Sequence, residues 1–401
     1  MPRSLPGNFY LYAARAVRGF GDGFAAIVLP AYLSGLGYSS FEVGVVATAA
    51  LLGSALLTLL IGVIAPRYGL RTLLLACAGL MVVTGLGLAS FDYFPFVLLI
   101  AFIGTVNPTI GDIGVHVPLE QTFVTRGAPD NERTRILARY SLIGALSIAA
   151  GALAAGAPDT FLFLAVDKTS ALQLMFMTYG GLGLVTGVIY FKLPAGHGQR
   201  EAGASPLGPS RGIVYKLAAL FSLDAFASGF VAQSLLALWL FQKFQLSLGT
   251  ASIFFFWSNL LSALSYPVAA YLGSKFGLVN TIVFTHLPAA VCLVVAAFVP
   301  NLTVVLALLL VRAALSQMDV PTRTSYVLAV VTPAERPAAA SFTAVPRSLA
   351  SAVSPAVSGA LLSTGLGGMP LVISGVLKAI YDLTLLFSFR HIRPPEEQVS
   401  R

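Results

Sequence analysis

Charge is scarce in this chain. Only 10% of its 401 residues are Asp, Glu, Lys or Arg, against the ~25% that keeps the surface of a soluble domain hydrated. Most of its surface must therefore face something other than water. Cysteine is scarcer still. Cys77 and Cys292 both sit inside apolar runs, too few for a disulfide framework or a thiolate metal cluster, and read as small buried residues. The four histidines (His116, His197, His286 and His391) are scattered, and none falls in a His-Glu-x-x-His pattern. No Gly-x-x-x-x-Gly-Lys-Ser/Thr phosphate loop occurs, so any work must draw on a gradient or a partner. The composition implies no cofactor and no metal, and nothing in it marks an enzyme. A cleavable leader is not expected either, because the first apolar run contains Arg15, Arg18 and Asp22.

Hydrophobicity is what the chain has. Apolar residues make up 57%, and the mean hydropathy is +0.85. A helix needs roughly 20 apolar residues to cross the hydrocarbon core. Cutting at polar and Gly/Pro turns gives twelve such runs, at about 9–34, 42–65, 71–91, 95–121, 134–157 and 170–192, then about 213–240, 248–273, 279–299, 303–330, 338–363 and 369–389. Between the sets lies a polar Gly/Pro/Ser stretch that reads as a linker. The expected organisation is an N-terminal six-helix bundle over 1–193, a linker over 194–212 and a C-terminal six-helix bundle over 213–401.

The net charge of +8 could suggest a nucleic-acid partner, but its distribution argues for topology. One set of alternate loops holds Arg67, Arg71, Arg126, Arg133, Arg135, Lys192, Arg200, Arg211, Lys275 and Arg336, and both termini fall on the same side. The opposite loops offer Lys168 and Lys243 beside Glu42, Asp92, Asp159 and Asp167. The positive-inside bias then makes both termini and the linker cytoplasmic. The partners implied are a lipid bilayer and a small molecule, with no nucleic acid.

Two phrases repeat. Ala65-Pro66-Arg67-Tyr68-Gly69-Leu70-Arg71 is echoed by Gly273-Ser274-Lys275-Phe276-Gly277-Leu278-Val279, each a tight basic turn between apolar runs. Pro118-Leu119-Glu120-Gln121-Thr122-Phe123-Val124 aligns with Pro321-Thr322-Arg323-Thr324-Ser325-Tyr326-Val327 at an offset of 203, which is 321 minus 118. At that offset Glu132-Arg133 falls on Glu335-Arg336, and Gly151 and Gly156 fall on Ser354 and Gly359. Two copies of one bundle are expected, with a substrate path between them.

On these residues the chain resembles the major facilitator superfamily (MFS), and the resemblance covers almost all of it. It implies an all-α membrane protein of twelve transmembrane helices in two pseudo-symmetric six-helix bundles. The family's signature between helices 2 and 3 is matched by Gly62, Arg67, Gly69 and Arg71, with Pro66 where the family usually has an Asp. That Asp is thought to latch the cytoplasmic seam, so here either that latch is missing or its role lies elsewhere. The resemblance also implies that helices 1, 4, 7 and 10 line the cavity. Physically, Gly69 is expected to permit the tight turn, and Arg67 and Arg71 to face helix-end carbonyls and headgroups. The family's antiporter pattern is only partly present, as Gly151-Ala152 and Ala155-Gly156 in helix 5 and Ser354-Pro355 and Ser358-Gly359 in helix 11.

An ionisable group at mid-bilayer costs about 2.5–3.5 kcal/mol on insertion scales, so such groups usually face a cavity or a partner. In helix 1, Arg18 and Asp22 share a face, and Asp22 is either a protonatable carboxylate or half of a fixed ion pair. Gly19, Gly21 and Gly23 would let a neighbouring helix or a substrate come close. Helix 4 holds Asn107-Pro108 and then Asp112, His116 and Glu120, a stripe able to relay protons or to sit solvated at the cytoplasmic mouth. Helix 10 carries Arg312, a candidate to bind an anionic substrate or the ionised Asp22, then Gln317, Asp319 and Arg323. At the repeat offset Asp319 falls on His116 and Arg323 on Glu120, so a gate closing through Glu120–Arg323 and His116–Asp319 contacts is expected. Asp224, Gln233 and Arg347 are further cavity candidates, whereas Lys378 and Asp382 read as a structural i,i+4 pair.

The reading is a secondary active transporter of a small molecule, working by alternating access. Proton coupling is expected through Asp22 or Asp112. The resemblance leans it toward efflux of a drug or metalloid, in the cell (inner) membrane and as a monomer. An uptake permease, a passive facilitator, a transporter-like sensor and a membrane enzyme are the alternatives.

Overall fold

A backbone that crosses lipid must satisfy its own hydrogen bonds, and a helix does so within one segment. The computed structural model describes residues 6–65, 67–109, 114–125, 130–162, 167–194, 208–319, 323, 326–327, 330–332 and 335–389. Among these, fifteen helices follow in order: α1 (Pro6–Gly35), α2 (Ser40–Ile64), α3 (Leu70–Ser90), α4 (Phe94–Ile103), α5 (His116–Val124), α6 (Asp130–Ala154), α7 (Ala157–Leu162), α8 (Lys168–Phe191), α9 (Arg211–Gly229), α10 (Gln233–Phe244), α11 (Leu248–Phe276), α12 (Leu278–Phe298), α13 (Leu302–Ser316), α14 (Arg336–Ser363) and α15 (Met369–Phe389). Eight helical segments are long and apolar enough to cross a membrane. With α1, the α4–α5 pair, α13 and α14 they make the twelve spans of an all-α membrane fold. Expected sites at Pro66 and Asp112, and most of the linker, lie outside the described residues.

Three spans are broken helices, and their breaks have local causes. Between α4 and α5, Pro108 cannot donate a backbone hydrogen bond, and the Asn107 Oδ1 accepts from the Thr109 amide at 2.9 Å and its hydroxyl at 2.8 Å. α6 gives way to α7 at Ala155-Gly156, and α9 to α10 at Phe230–Ala232. The start of α2 is closed by a capping box, in which Ser39 and Glu42 satisfy each other's backbone amides.

By packing, the chain divides into two compact units. Met1–Arg200 joins Ala232–Asn259, and Glu201–Val231 joins Leu260–Arg401. The division thus differs from one drawn at the 194–212 linker, because α10 and the first half of α11 side with the first unit. Ser234 donates its amide to the Pro108 carbonyl at 3.0 Å, and Gln242 Nε2 donates to the Ser40 hydroxyl at 2.6 Å. The Gly249 amide donates to Asp159 Oδ2 at 2.7 Å. Tyr38 also donates to the Asp92 carbonyl. All four bonds lie toward the loops poor in Lys and Arg. At the basic end of the same unit Arg71 lies over the Phe191 ring at 4.6 Å.

Each unit has its own tight helix crossing. A Cβ on Gly23 of α1 would lie 2.2 Å from the Ile148 carbonyl oxygen, and one on Gly151 of α6 2.0 Å from that of Phe20. In the second unit a Cβ on Gly229 of α9 would lie 2.1 Å from the Ser354 hydroxyl of α14, while Ser358 donates to the Phe230 carbonyl at 2.8 Å. Lipid offers no hydrophobic force between helices, so small residues that admit close backbones do this work. Where Gly19, Gly21 and Gly23 could have admitted helix or substrate, a Cβ would first meet Gly144, Met81 and Ile148 respectively.

The repeated turn is not used alike in its two copies. Gly277, before α12, has φ of 88°, a left-handed backbone that favours glycine. Gly69, before α3, has φ of −65° and ψ of 140°, which any residue adopts. The expectation that Gly69 is needed for the turn is therefore corrected; that need belongs to Gly277.

Candidate functional site

The first unit collects its charges around one carboxylate. On α1, Arg15, Arg18 and Asp22 recur at helical spacing, so all three project to the side packed by α5, α6 and α8. Glu120 of α5 is wholly buried and accepts from Arg18, from the Tyr140 hydroxyl and from the Tyr190 hydroxyl. Arg18 Nη2 also reaches Tyr140 at 3.4 Å. Arg15 stacks its guanidinium over the Tyr140 ring at 5.0 Å, in space left by Gly144. A buried charge persists when its lone pairs are satisfied, and here three donors do so.

Asp22 is held more loosely. Its Oδ2 is 3.7 Å from Arg18 Nη1, and its Oδ1 accepts from Tyr179 at 3.2 Å. Tyr179 continues to the Thr105 hydroxyl at 3.2 Å. The Asp22 side chain keeps 17% exposure where that of Glu120 has none. The Arg18–Asp22 contact is thus secondary, and the main partner of Arg18 is Glu120. His116, stacked against the Tyr190 ring at 6.5 Å, is buried beside this group.

The second unit builds a separate network. Asp224 of α9 accepts from Lys378 Nζ of α15 at 2.8 Å and from Arg323 Nη1 at 3.3 Å. Arg323, just beyond α13, also donates to Asp319 at 2.7 Å and lies over the Phe221 ring at 5.3 Å. His286 of α12 places Nε2 3.4 Å from Asp319 Oδ1 and 3.0 Å from the Ser316 carbonyl oxygen. Its Nδ1 is 3.5 Å from Asp382 of α15.

Glu120 is satisfied by Arg18, and Arg323 by Asp319 and Asp224, each inside its own unit. One expectation is corrected by this geometry. Lys378 and Asp382, expected to pair with each other, go instead to Asp224 and His286.

The other expected residues are dispersed. Asn107 shapes the α4–α5 break, and Gln317 ends α13. Gln233 is buried at the start of α10 with neither amide atom bonded among the described residues. Arg312 of α13 is half-buried and makes no ion pair among the described residues. Arg347 of α14 is half-buried, and its Nε has no hydrogen bond among them. Arg67 is exposed at the basic turn. Tyr140, Tyr179, Tyr190 and His286 were not anticipated. A His inside an apolar run is itself a signal, but the sequence does not show which carboxylates face it.

Outside the spans, Glu335 is buried at 3% exposure before α14. The hydroxyls of Ser210 and Thr332 and the amides of Gly208 and Ser210 all donate to it. These bonds, the Ser210 hydroxyl foremost, push its pKa down to about 2.

A sequence model of the Major Facilitator Superfamily matches residues 11–236 and 217–401. An uncharacterized membrane protein of Saccharomyces cerevisiae is 22% identical, over 94% of this chain and 93% of that protein. Among solved structures, a bacterial homolog of the human lysosomal transporter Spinster, in an inward-facing and unoccupied conformation, has a TM-score of 0.73 at 15% identity, over 97% of this chain and 99% of its own. The nucleoside transporter NupG gives 0.72 at 13%, over 96% and 99%. A D-xylose-proton symporter gives 0.74 at 17%, over 97% and 98%. At these identities the structural likenesses establish the fold.

Proposed function

The chain belongs to the major facilitator superfamily, and on that premise we propose that it is a proton-coupled secondary active transporter that exports a small molecule by alternating access. Asp22 carries the reading. It is an acid inside a span, partly exposed, and its potential counter-ion Arg18 is already committed to Glu120. Such a carboxylate can load a proton from one side and release it to the other without breaking the pair that holds the bundle. Gln233 of the first unit, with an unbonded buried amide among the described residues, is the proposed contact for the cargo. A buried polar group without a partner favours a ligand that supplies one. The proposed setting is the cell inner membrane, with the Lys- and Arg-rich loops and both termini in the cytoplasm.

Uptake is the second reading, favoured by the likeness to a D-xylose-proton symporter and a nucleoside transporter. Proteoliposomes separate the two. A panel of nucleosides, monosaccharides and lipophilic cations is offered under an imposed pH gradient, with wild type and Asp22→Asn side by side. Export predicts that a cargo accumulates on the side from which protons flow in exchange, and that Asp22→Asn removes this dependence. Movement of cargo and protons in the same direction favours uptake. Accumulation that ignores the gradient defeats proton coupling.

A further inference from the structure

The second unit contains an acid and a base that the proposed Asp22 chemistry does not use. His286 of α12 is 3% exposed and Asp382 of α15 is fully buried. Their roles follow from counting protons. The Ser316 carbonyl oxygen, 3.0 Å from His286 Nε2, can only accept, so Nε2 carries a hydrogen. That leaves Nδ1 facing Asp382 Oδ1 at 3.5 Å. Were Nδ1 bare and Asp382 ionised, two lone pairs would oppose each other at a buried site. Among the described residues no hydrogen bond reaches either Asp382 oxygen, and an ionised carboxylate so enclosed is costly.

The neighbouring charges do not remove the problem, because they are already assigned. From α15, Lys378 reaches Asp224 of α9 at 2.8 Å. Arg323 is shared between Asp319 at 2.7 Å and Asp224 at 3.3 Å. Those two cations balance those two carboxylates. Arg347 of α14 lies within electrostatic reach of Arg323 and Asp224, and Tyr381 of α15 sets its ring 6.4 Å from that of His286. The third carboxylate, Asp382, is left with His286 as its nearest cationic partner.

We infer that His286 and Asp382 together hold one exchangeable proton, forming a second proton site in the unit that lacks Asp22. The proton resides on Nδ1, giving an imidazolium beside a carboxylate, or on Asp382, giving a neutral pair. Release leaves a net negative charge beside Asp224 and Asp319, which re-partitions Lys378 and Arg323 among three acids instead of two. The use of this proton in transport rests on the proton-coupled reading above; its existence does not.

The test is nitrogen NMR of histidine-labelled full-length protein in lipid nanodiscs, with the His286 signals assigned by their loss in His286→Gln. From about pH 5 to about pH 9, the range in which imidazoles ordinarily titrate, two results support the site. Either the His286 Nδ1 resonance changes from protonated to bare with a midpoint that falls by about one pH unit or more in Asp382→Asn, or an infrared band of a protonated carboxyl is present in wild type and absent from Asp382→Asn. A His286 Nδ1 that is bare at every pH, with no such band, overturns the inference and needs only the wild-type protein. Gradient-driven transport in a protein with that bare His286 would defeat the second site alone. A titrating pair in a protein whose transport ignores the gradient would leave the site standing and defeat the coupling reading.

Discussion

Arg18 of α1 clamps Glu120 of α5 inside the first unit, and the second unit repeats the contact with the signs exchanged, Asp224 of α9 holding Arg323. Glu120 and Arg323 are 203 residues apart (323 minus 120), Arg18 and Asp224 are 206 apart (224 minus 18), and Gly23 and Gly229 keep that second spacing. The same two spans are therefore joined in each copy of the bundle. The joint is alike in the two units, with the acid and the base in exchanged places.

Removing one member of a buried pair leaves the other uncompensated, at a cost of about 3–5 kcal/mol. Glu120→Gln and Arg323→Gln should each lower thermal stability in nanodiscs by that order. Exchange within a unit (Arg18→Glu with Glu120→Arg) should recover part of the loss. Exchange between units (Glu120→Arg with Arg323→Glu) should recover none of it. Equal rescue by both double variants would contradict within-unit pairing.

The helix crossings make a steric prediction. Gly23→Ala puts a methyl group 2.2 Å from a backbone oxygen that cannot swing aside, so α1 and α6 must separate. Overpacking of this kind costs about 1–3 kcal/mol. Gly62→Ala, with nothing within 4 Å of its added carbon, is the control and should be neutral or slightly stabilising. Thermal melts of the two variants against wild type measure the difference.

Much of the fold was legible in the sequence because lipid imposes a coarse rule, that each run of about 20 apolar residues is one span. The basic loops and the 203-residue echo then gave order and symmetry. The site was legible only in part. Arg18, Asp22, Glu120, Asp224, Asp319 and Arg323 stood out as charges in apolar runs, but their partners did not, since pairing depends on which helix faces which. Tyr140, Tyr179 and Tyr190 were invisible for another reason. A tyrosine in a span is ordinary until a carboxylate is found at its hydroxyl.

Glu335 makes a prediction outside the membrane. Its folded pKa of about 2 lies below the ordinary 4.5, so the ionised form is the one that the fold prefers. The stabilisation is complete above the unfolded value and is lost as pH falls from about 4.5 toward about 2. Melts of wild type and Glu335→Gln should differ most near neutral pH and converge through that acid window. A gap that stays constant across the window would show that the bonds to Ser210 and Thr332 do not depend on charge.

Arg312 lies in α13 and Arg323 just beyond it, and the structure separates their roles. Arg323 is bound by two carboxylates, whereas Arg312 has no ion pair among the described residues. Holding an unpaired guanidinium in a span costs about 2.5–3.5 kcal/mol on insertion scales, a cost that Leu does not carry. Arg312→Leu should therefore melt no lower than wild type, while Arg323→Leu, which strands Asp319 and Asp224, should melt well below it. If Arg312 serves the cargo, Arg312→Leu also loses transport of the panel compound that wild type moves, and Arg312→Lys keeps part of it by keeping the charge. Stability retained together with transport retained would remove Arg312 from the site. A large loss of stability would show that its charge is answered within the fold.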